Sequence, residues 1–299
     1  MKQSYVKYIL SLLLFGSNGI VASYISLSSY DIVLLRTMLG SMFLLTIFCL
    51  SHRKITLFKY TKQLICLILS GIALGGGWIF LYEAYQLIGV SISSLLYYCG
   101  PVIVMILSPF IFKEKLTAAK LTGFFTVLVG IYLINTKSSG VSINGLGLFC
   151  GGMSAIMYSA MVIFSKMSKD IQGLENSMIQ LISAFLTTLI FVVFKHGLVF
   201  NITPGNYLPI IFLGFINTGI GCYLYFSSIS NLPVHSVSIC GYLEPLSAVM
   251  FSALFLHEKL SIIQLIGVTL VLGGAISGEL FKLNLKCMLS HINLKYSPH

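Results

Sequence analysis

The sequence predicts an all-α integral membrane protein: ten transmembrane helices arranged as two inverted five-helix repeats. Three observations predict it. Apolar runs fill the chain from end to end, the second half repeats the first at a fixed offset, and the basic residues sort to one side of the membrane. Of 299 residues, 57% are hydrophobic and 9% charged, where a soluble domain carries about a quarter charged residues. Apolar stretches of about 20 residues recur, each long enough to cross a hydrocarbon core of about 30 Å as a helix. They fall at about 5–23, 30–50, 64–84, 91–112, 118–136, 145–165, 175–194, 207–229, 235–256 and 262–281. A β-barrel would show short alternating segments instead. Lys2 and Lys7 precede the first run as they would in a secretory signal. No small-x-small cleavage site follows cleanly, and the repeat needs this span, so it is expected in the mature chain.

The repeat appears when the sequence is shifted against itself by 144 residues. Pro101 then falls on Pro245, Glu114-Lys115-Leu116 on Glu258-Lys259-Leu260, Gly123 on Gly267 and Gly130 on Gly274, without a gap. Ser94, Tyr98 and Ser108 meet Ser238, Tyr242 and Ser252. From 94 to 130, roughly a third of positions are identical, well above chance between apolar segments. Upstream, Asp31 meets Glu175, Arg36 meets Gln180, and Gly75 and Gly77 meet Gly219 and Gly221. The unit is five spans, giving repeats at 1–140 and 141–284 and a tail at 285–299. Five is odd, so the second copy enters the membrane upside down. Two halves related by an in-plane two-fold axis form a transporter architecture.

The charges agree with the inversion. With the N-terminus inside, Lys2, Lys7, Arg53, Lys54, Lys59, Lys62, Lys113, Lys115, Lys120, Lys166, Lys169, Lys282, Lys286 and Lys295 fall on the cytoplasmic side. Lys137, Lys195 and Lys259 fall outside, and Arg36 lies within a span. This distribution places both termini in the cytoplasm, as expected of a multi-pass protein of the cytoplasmic (inner) membrane. The net charge of +10 is thus a topology signal. No basic and aromatic surface domain exists to bind nucleic acid. The seven cysteines form no CxxC pair; they read as small apolar fillers, with no disulfide framework, metal site or cofactor implied. No HExxH, Ser-His-Asp set or phosphate-cradling loop stands out, so no enzyme is expected.

Ten spans, two five-span repeats, a mid-span proline in spans 4 and 9, Glu-Lys-Leu at their ends and glycine-rich spans 5 and 10 resemble the drug/metabolite transporter superfamily, EamA type. FGSN at 15–18 and LLRTMLG at 34–40 match as well. The resemblance covers essentially residues 5–281. Phe15 stands where an aromatic, often tryptophan, precedes the glycine, and Gln180 replaces a second arginine. The resemblance implies transport of amino acids, related metabolites or amphipathic drugs, often by export.

Several residues are candidates for carrying that function. Pro101 and Pro245 lie about ten residues into their spans, near the midplane, where proline removes a backbone bond and bends a helix. Each is either a packing kink or a hinge that flexes a central cavity. Glu244 is an acid near the bilayer centre, where a charge costs at least about 2.5–3.5 kcal/mol; its repeat mate is Gly100. Glu244 takes up a coupling proton, meets a substrate amine, or is a structural glutamate beside the carbonyl freed by the proline. Arg36 and Glu83 sit at similar depth and are expected to pair, or to form an outer gate or anion contact. Trp78, Tyr82 and Tyr85 share one face of span 3. Trp78, Tyr82, Tyr98, Tyr225 and Tyr242, with Asn18, are expected to line the cavity. Tyr85, like Tyr24, Tyr30 and Tyr207, suits an interfacial aromatic belt. Glu114-Lys115 and Glu258-Lys259 are helix-end charge pairs, or gates that latch each side in turn.

The expected activity is secondary transport of a small metabolite by alternating access. No ATP motif is present, so a proton gradient, a counter-solute or the substrate's own gradient supplies the energy. The partners are a small-molecule substrate and the lipid bilayer, and the protein is a monomer or homodimer. Aromatic lining with one acid suits a cationic or zwitterionic amphiphile. Uptake by the same fold is the alternative within transport. A flippase for lipid headgroups or lipid carriers, or a non-transporting scaffold, is the alternative outside it.

Overall fold

A computed structural model describes residues 2–51, 59–113, 118–134, 144–198, 202–255 and 261–274. They form helices α1 (Lys2–Gly16), α2 (Asn18–Ser23), α3 (Ser29–Leu50), α4 (Thr61–Tyr97), α5 (Gly100–Phe112), α6 (Ala118–Ile134), α7 (Gly145–Met167) and α8 (Gly173–His196). A run of α9 (Tyr207–Ile211), a π-helix (Phe212–Ile220) and α10 (Gly221–Ile229) follows, then α11 (Val234–Gly241), α12 (Leu243–Phe255) and α13 (Ile262–Gly274). Among the described residues, six helical stretches are long and apolar enough to cross a membrane: Lys2–Ser23, Ser29–Leu50, Thr61–Ile88, Gly145–Met167, Gly173–Lys195 and Pro204–Ile229. Shorter apolar helices, Gly100–Phe112, Leu121–Leu133 and Ile262–Gly274, stand at the expected spans 4, 5 and 10. The expected span 9 is two short helices divided at Tyr242. This is a multi-pass membrane protein.

The helices depart from the expected spans in two further places. Span 1 is not one helix. It breaks at Ser17, whose backbone N–H is shared between the carbonyls of Leu13 and Leu14. Spans 3 and 4 both fall within the single stretch α4, with no long loop between them: Leu87 and Ile88 lie against Gly147 while Leu96 lies against Gly151, so the turn between the spans is tight. The chain still reverses within α4. Gly77 lies against Met157 and Gly100 against Tyr158, neighbouring residues of α7. A straight helix would hold Gly77 and Gly100 about 35 Å apart. The tyrosine hydroxyl of Tyr85 also reaches Ser94 Oγ at 3.4 Å. One leg of α4 therefore runs antiparallel to α7 and the other runs back along it.

Both repeat prolines sit where their missing N–H costs nothing. Pro101 is in the first turn of α5 and Pro245 in the first turn of α12, just after breaks at Tyr98-Cys99 and Tyr242. A helix start has unused N–H groups anyway, and proline's fixed φ suits it. The bend expected at each proline is thus a restart of the helix one turn earlier.

The two halves are related by a two-fold axis that the contacts make explicit. A Cβ on Gly130 would come within 2.6 Å of the Gly267 carbonyl and would also meet Val271; one on Gly274 would come within 2.5 Å of the Gly123 carbonyl and meet Val127. Each contact is the other shifted by 144 residues, as at an isologous interface. Advancing along α6 retreats along α13, so the two helices are antiparallel and the relation is an inversion. Tyr242 Oη donates to the carbonyl of its own repeat mate, Tyr98, at 3.0 Å. The halves also exchange their first helices. In the first half, Tyr8 Oη donates to the Val237 carbonyl at 2.8 Å and Gly16 is pressed against Ser247. In the second, Ser159 Oγ donates to the Gly100 carbonyl at 2.9 Å.

Glycine is required where backbone meets backbone. Gly274→Val places a side chain on the Gly123 carbonyl, which has no rotamer with which to yield, and is expected to cost about 1–3 kcal/mol. A thermal melt in detergent followed by size-exclusion chromatography should show that loss. Gly152→Ala on α7, where nothing lies within 4 Å, should leave the melt unchanged or raise it.

Candidate functional site

A cavity of about 390 Å³ lies between the two halves. Its walls come from helix breaks and from the faces of α3 and α4. Asn18 opens α2 just past the break in span 1, and Glu244 stands in the first turn of α12. Trp78, Tyr82 and Tyr85 project from one face of α4, while Tyr97 and Tyr98 close its far end. Arg36 enters from α3. A smaller chamber of about 40 Å³ shares Phe15, Asn18, Trp78, Tyr97 and Glu244 with it and continues to Tyr158, Cys222, Tyr225 and Phe226. Glu244 therefore faces both spaces.

Arg36 is buried, with 4% of its surface exposed, and is only partly satisfied. Its Nε donates to Thr218 Oγ1 at 2.9 Å, and its guanidinium carbon lies 4.7 Å from the centre of the Trp78 ring. Thr218 is held in the π-helix, where its hydroxyl donates to the Leu213 carbonyl at 2.8 Å. One terminal nitrogen of Arg36 finds no partner among the described residues. A buried donor left in this way carries the full cost of its lost hydration. Its repeat mate Gln180 shows the contrast: Gln180 exchanges hydrogen bonds with Ser70, Ser165 and Asn176. Across the cavity, no described residue hydrogen-bonds the Glu244 carboxylate, and no ion pair joins it to Arg36. The site thus presents one cation and one anion to a space walled by aromatic rings.

The pairing expected of Arg36 and Glu83 is not formed. Arg36 packs on Trp78, and Glu83 lies five residues further along α4, about 140° around the helix. Glu83 turns instead to Lys195 at 2.8 Å, and Lys195 also donates to Tyr30 Oη at 3.1 Å. Tyr242 is likewise no cavity residue. It is fully buried among Met105, Phe124 and Val127, and its hydroxyl is spent on Tyr98. Tyr225 lines the smaller chamber, its hydroxyl 3.4 Å from that of Tyr158. Asn18, Trp78, Tyr82, Tyr98 and Glu244 all line the cavity. Tyr85 leaves its expected interfacial place to join them; its spacing seven residues beyond Trp78 carried that signal. Pro101 and Pro245 are buried beside the walls without lining them. Glu114, Lys115, Glu258 and Lys259 lie outside the described residues.

Sequence reasoning passed over Phe15, Tyr97, Thr218 and Asn217. Asn217 Nδ2 donates to Leu14 O, Ser17 Oγ and Asn18 Oδ1 at 2.9–3.1 Å, so it fastens the break in span 1 to the π-helix. The adjacent polar pair Asn217-Thr218 inside an apolar run was the available signal. Among the described residues no cluster of three His, Cys, Asp or Glu side chains could hold a metal ion.

A central polar site between helical halves is the arrangement of a membrane transporter. The comparisons agree on the class and narrow it. The EamA-like transporter family matches the chain twice, over residues 4–136 and 145–277, and the protein belongs to that family. It is similar to the uncharacterized transporter YxxF of Bacillus subtilis, 26% identical over 90% of this chain and 87% of the relative. It is similar also to an uncharacterized transporter of Clostridium kluyveri, 21% identical over 92% and 93% of the two chains. A protein of known crystal structure shares the fold, with a TM-score of 0.80 over 95% of this chain and 98% of that one at 16% identity.

Trp78 is the sole tryptophan of the chain, so its emission reports this cavity alone. Arg36→Lys removes a planar cation from its face, since an ammonium lacks the guanidinium's stacking surface. The expected result is a shifted emission maximum and a loss of about 1–3 kcal/mol in detergent melts. Lys195→Met, on a half-exposed pair, should leave the emission alone and cost under about 1 kcal/mol.

Proposed function

We propose that the protein is a gradient-driven secondary transporter of a small zwitterionic metabolite, an amino acid or a close relative, working by alternating access. The observation that carries this reading is the joint presence in one aromatic-walled cavity of Arg36, one nitrogen of which has no partner among the described residues, and Glu244, whose carboxylate none of them hydrogen-bonds. A carboxylate on the solute would complete the first, and an ammonium would complete the second. The volume of about 390 Å³ suits a small molecule, since such sites run from about 300 to 1,000 Å³. The aromatic walls suit an apolar side chain.

In this reading the chain crosses the cytoplasmic membrane ten times, with both termini inside, and its direction is export. The sidedness of the lysines supports the orientation. The cavity walls, Asn18 through Ala22 and Tyr82 through Tyr85, then belong to the outer half of the membrane, so the structure is open outward. Proton uptake at Glu244 or an exchanged solute couples the cycle. Pro101 and Pro245, at the helix restarts, are the points about which each half bends.

Two measurements test the proposal. Cells expressing the wild type or Glu244→Gln at equal levels are compared for solutes inside and in the medium. One zwitterionic class should shift outward with the wild type only. An equal shift in both would remove Glu244 from the mechanism, and no shift against empty vector would turn the test to lipid flipping. In detergent, a zwitterion that quenches Trp78 should bind at least about tenfold more tightly than its methyl ester or its N-acetyl derivative, each of which lacks one charge. Equal binding of all three would overturn the two-charge reading.

A further inference from the structure

Among the described residues the larger cavity is walled mainly by the first repeat, and the repeat identifies the positions that correspond to its walls. Adding 144 to the wall residues Asn18, Ala22, Trp78, Tyr82 and Tyr85 gives Val162, Lys166, Cys222, Phe226 and Ile229. The first set is partly accessible. Every member of the second is buried. The same framework is therefore open at one end and packed shut at the other.

Within the packed set stands a lysine. Lys166, near the end of α7, is buried, with 8% of its surface exposed. Its Nζ donates to the Ile229 carbonyl at 3.2 Å and to the Leu232 carbonyl. These carbonyls close α10 and the turn that leads to α11. The Ile229 carbonyl accepts the Leu232 N–H at 3.2 Å in a tight last turn and has its second lone pair left for Lys166, for a reason written in the sequence. The residue four positions on, which would bond it in a continuing helix, is Pro233, and proline has no N–H. The carbonyl end of a helix favours a cation as well.

Neither half of this device occurs in the first repeat. The mate of Lys166 is Ala22, which has no donor, and the mate of Pro233 is Gly89, which keeps its N–H. The lysine and the proline-ended helix it caps occur together, in the copy whose described wall residues are buried.

We propose that Lys166 is a one-sided latch: its bonds to Ile229 and Leu232 hold the packed end shut, and they break when that end opens. This rests on the alternating-access reading. It explains why the molecule settles open on the Ala22 side. Opening the other end draws α10 and α11 away from α7 and breaks both of these bonds, at the cost of two charge-assisted hydrogen bonds.

The test uses the full chain in sealed membrane vesicles of either orientation, with native cysteines replaced. Ile229→Cys reports the packed end and Tyr85→Cys the open end, each labelled by a membrane-impermeant maleimide from its own side. Lys166→Met keeps the apolar stem and removes the donors. It should raise labelling at Ile229→Cys by about tenfold, the worth of a charge-assisted hydrogen bond, and lower labelling at Tyr85→Cys. Lys166→Arg, which keeps a cation and its donors, should restore the wild-type rates. Unchanged labelling at both positions overturns the latch. A rise at both positions also overturns it, because general loosening gives that result. Solute transport is read separately. If labelling shifts in opposite directions in a chain that moves no solute, the latch stands and the transport reading falls. If solute moves while labelling stays fixed, the reverse holds.

Discussion

Inside a bilayer a backbone N–H or carbonyl without a partner costs several kcal/mol, so a membrane chain may leave its helices only where protein surrounds the gap. This constraint organises the whole molecule. Its helices break at Ser17, at Tyr98-Cys99, at Ser230–Pro233 and at Tyr242. The first three are met from another element. Asn217 reaches the first, Tyr242 donates to the carbonyl of Tyr98 at the second, and Lys166 caps the third. Tyr242, the fourth, is itself fully buried. Helix interruptions are where backbone and short polar side chains become available to a solute, so the same breaks that threaten stability supply Asn18 and Glu244 to the cavity.

The fold was legible because its repeat is nearly literal. An offset of 144 residues, read from Pro101 and Pro245 and from paired glycines, reappears as direct contact between Tyr98 and Tyr242 and between the α6 and α13 glycines. Depth in the membrane was legible too, and it brought Trp78, Tyr82, Tyr98 and Glu244 to one place. Azimuth was not. Arg36 and Glu83 share a depth, yet Arg36 turns to Trp78 and Thr218 while Glu83 turns to Lys195. Periodicity says which residues share a face of one helix; it does not say which faces of different helices meet. Tyr242 was misplaced for a related reason. A deep tyrosine needs a hydroxyl partner, but a backbone carbonyl exposed at a helix break serves as well as a ligand.

The asymmetry between the copies carries the chemistry. The frame repeats, with its prolines, helix restarts and close-packing glycines. The reactive positions do not: Arg36 stands against Gln180, Glu244 against Gly100, Trp78 against Cys222 and Lys166 against Ala22. Gln180 is satisfied by Ser165 and Asn176 of its own half and by Ser70 of the other, as a packing residue would be. Arg36 retains an open donor at the junction of the halves. A duplicated scaffold has thus kept symmetric mechanics while its two sites diverged into one that is polar and hollow and one that is filled.

The exchange of first helices between the halves bears on how such a chain is made. The hydroxyl of Tyr8 rests on Val237, 229 residues away, and Tyr5 bonds Ser236. When α1 leaves the ribosome, nothing it will pack against in α10, α11 or α12 has been synthesised. Contacts so distant in sequence close late, because the ordering entropy of a long loop comes before its reward. The N-terminal helix must therefore wait in lipid as an isolated span for most of translation, with the hydroxyls of Tyr5 and Tyr8 still without Ser236 and Val237. Assembly is completed from the far end of the chain, and a product that stops short of α12 lacks the first helix's seat as well as its own last segments.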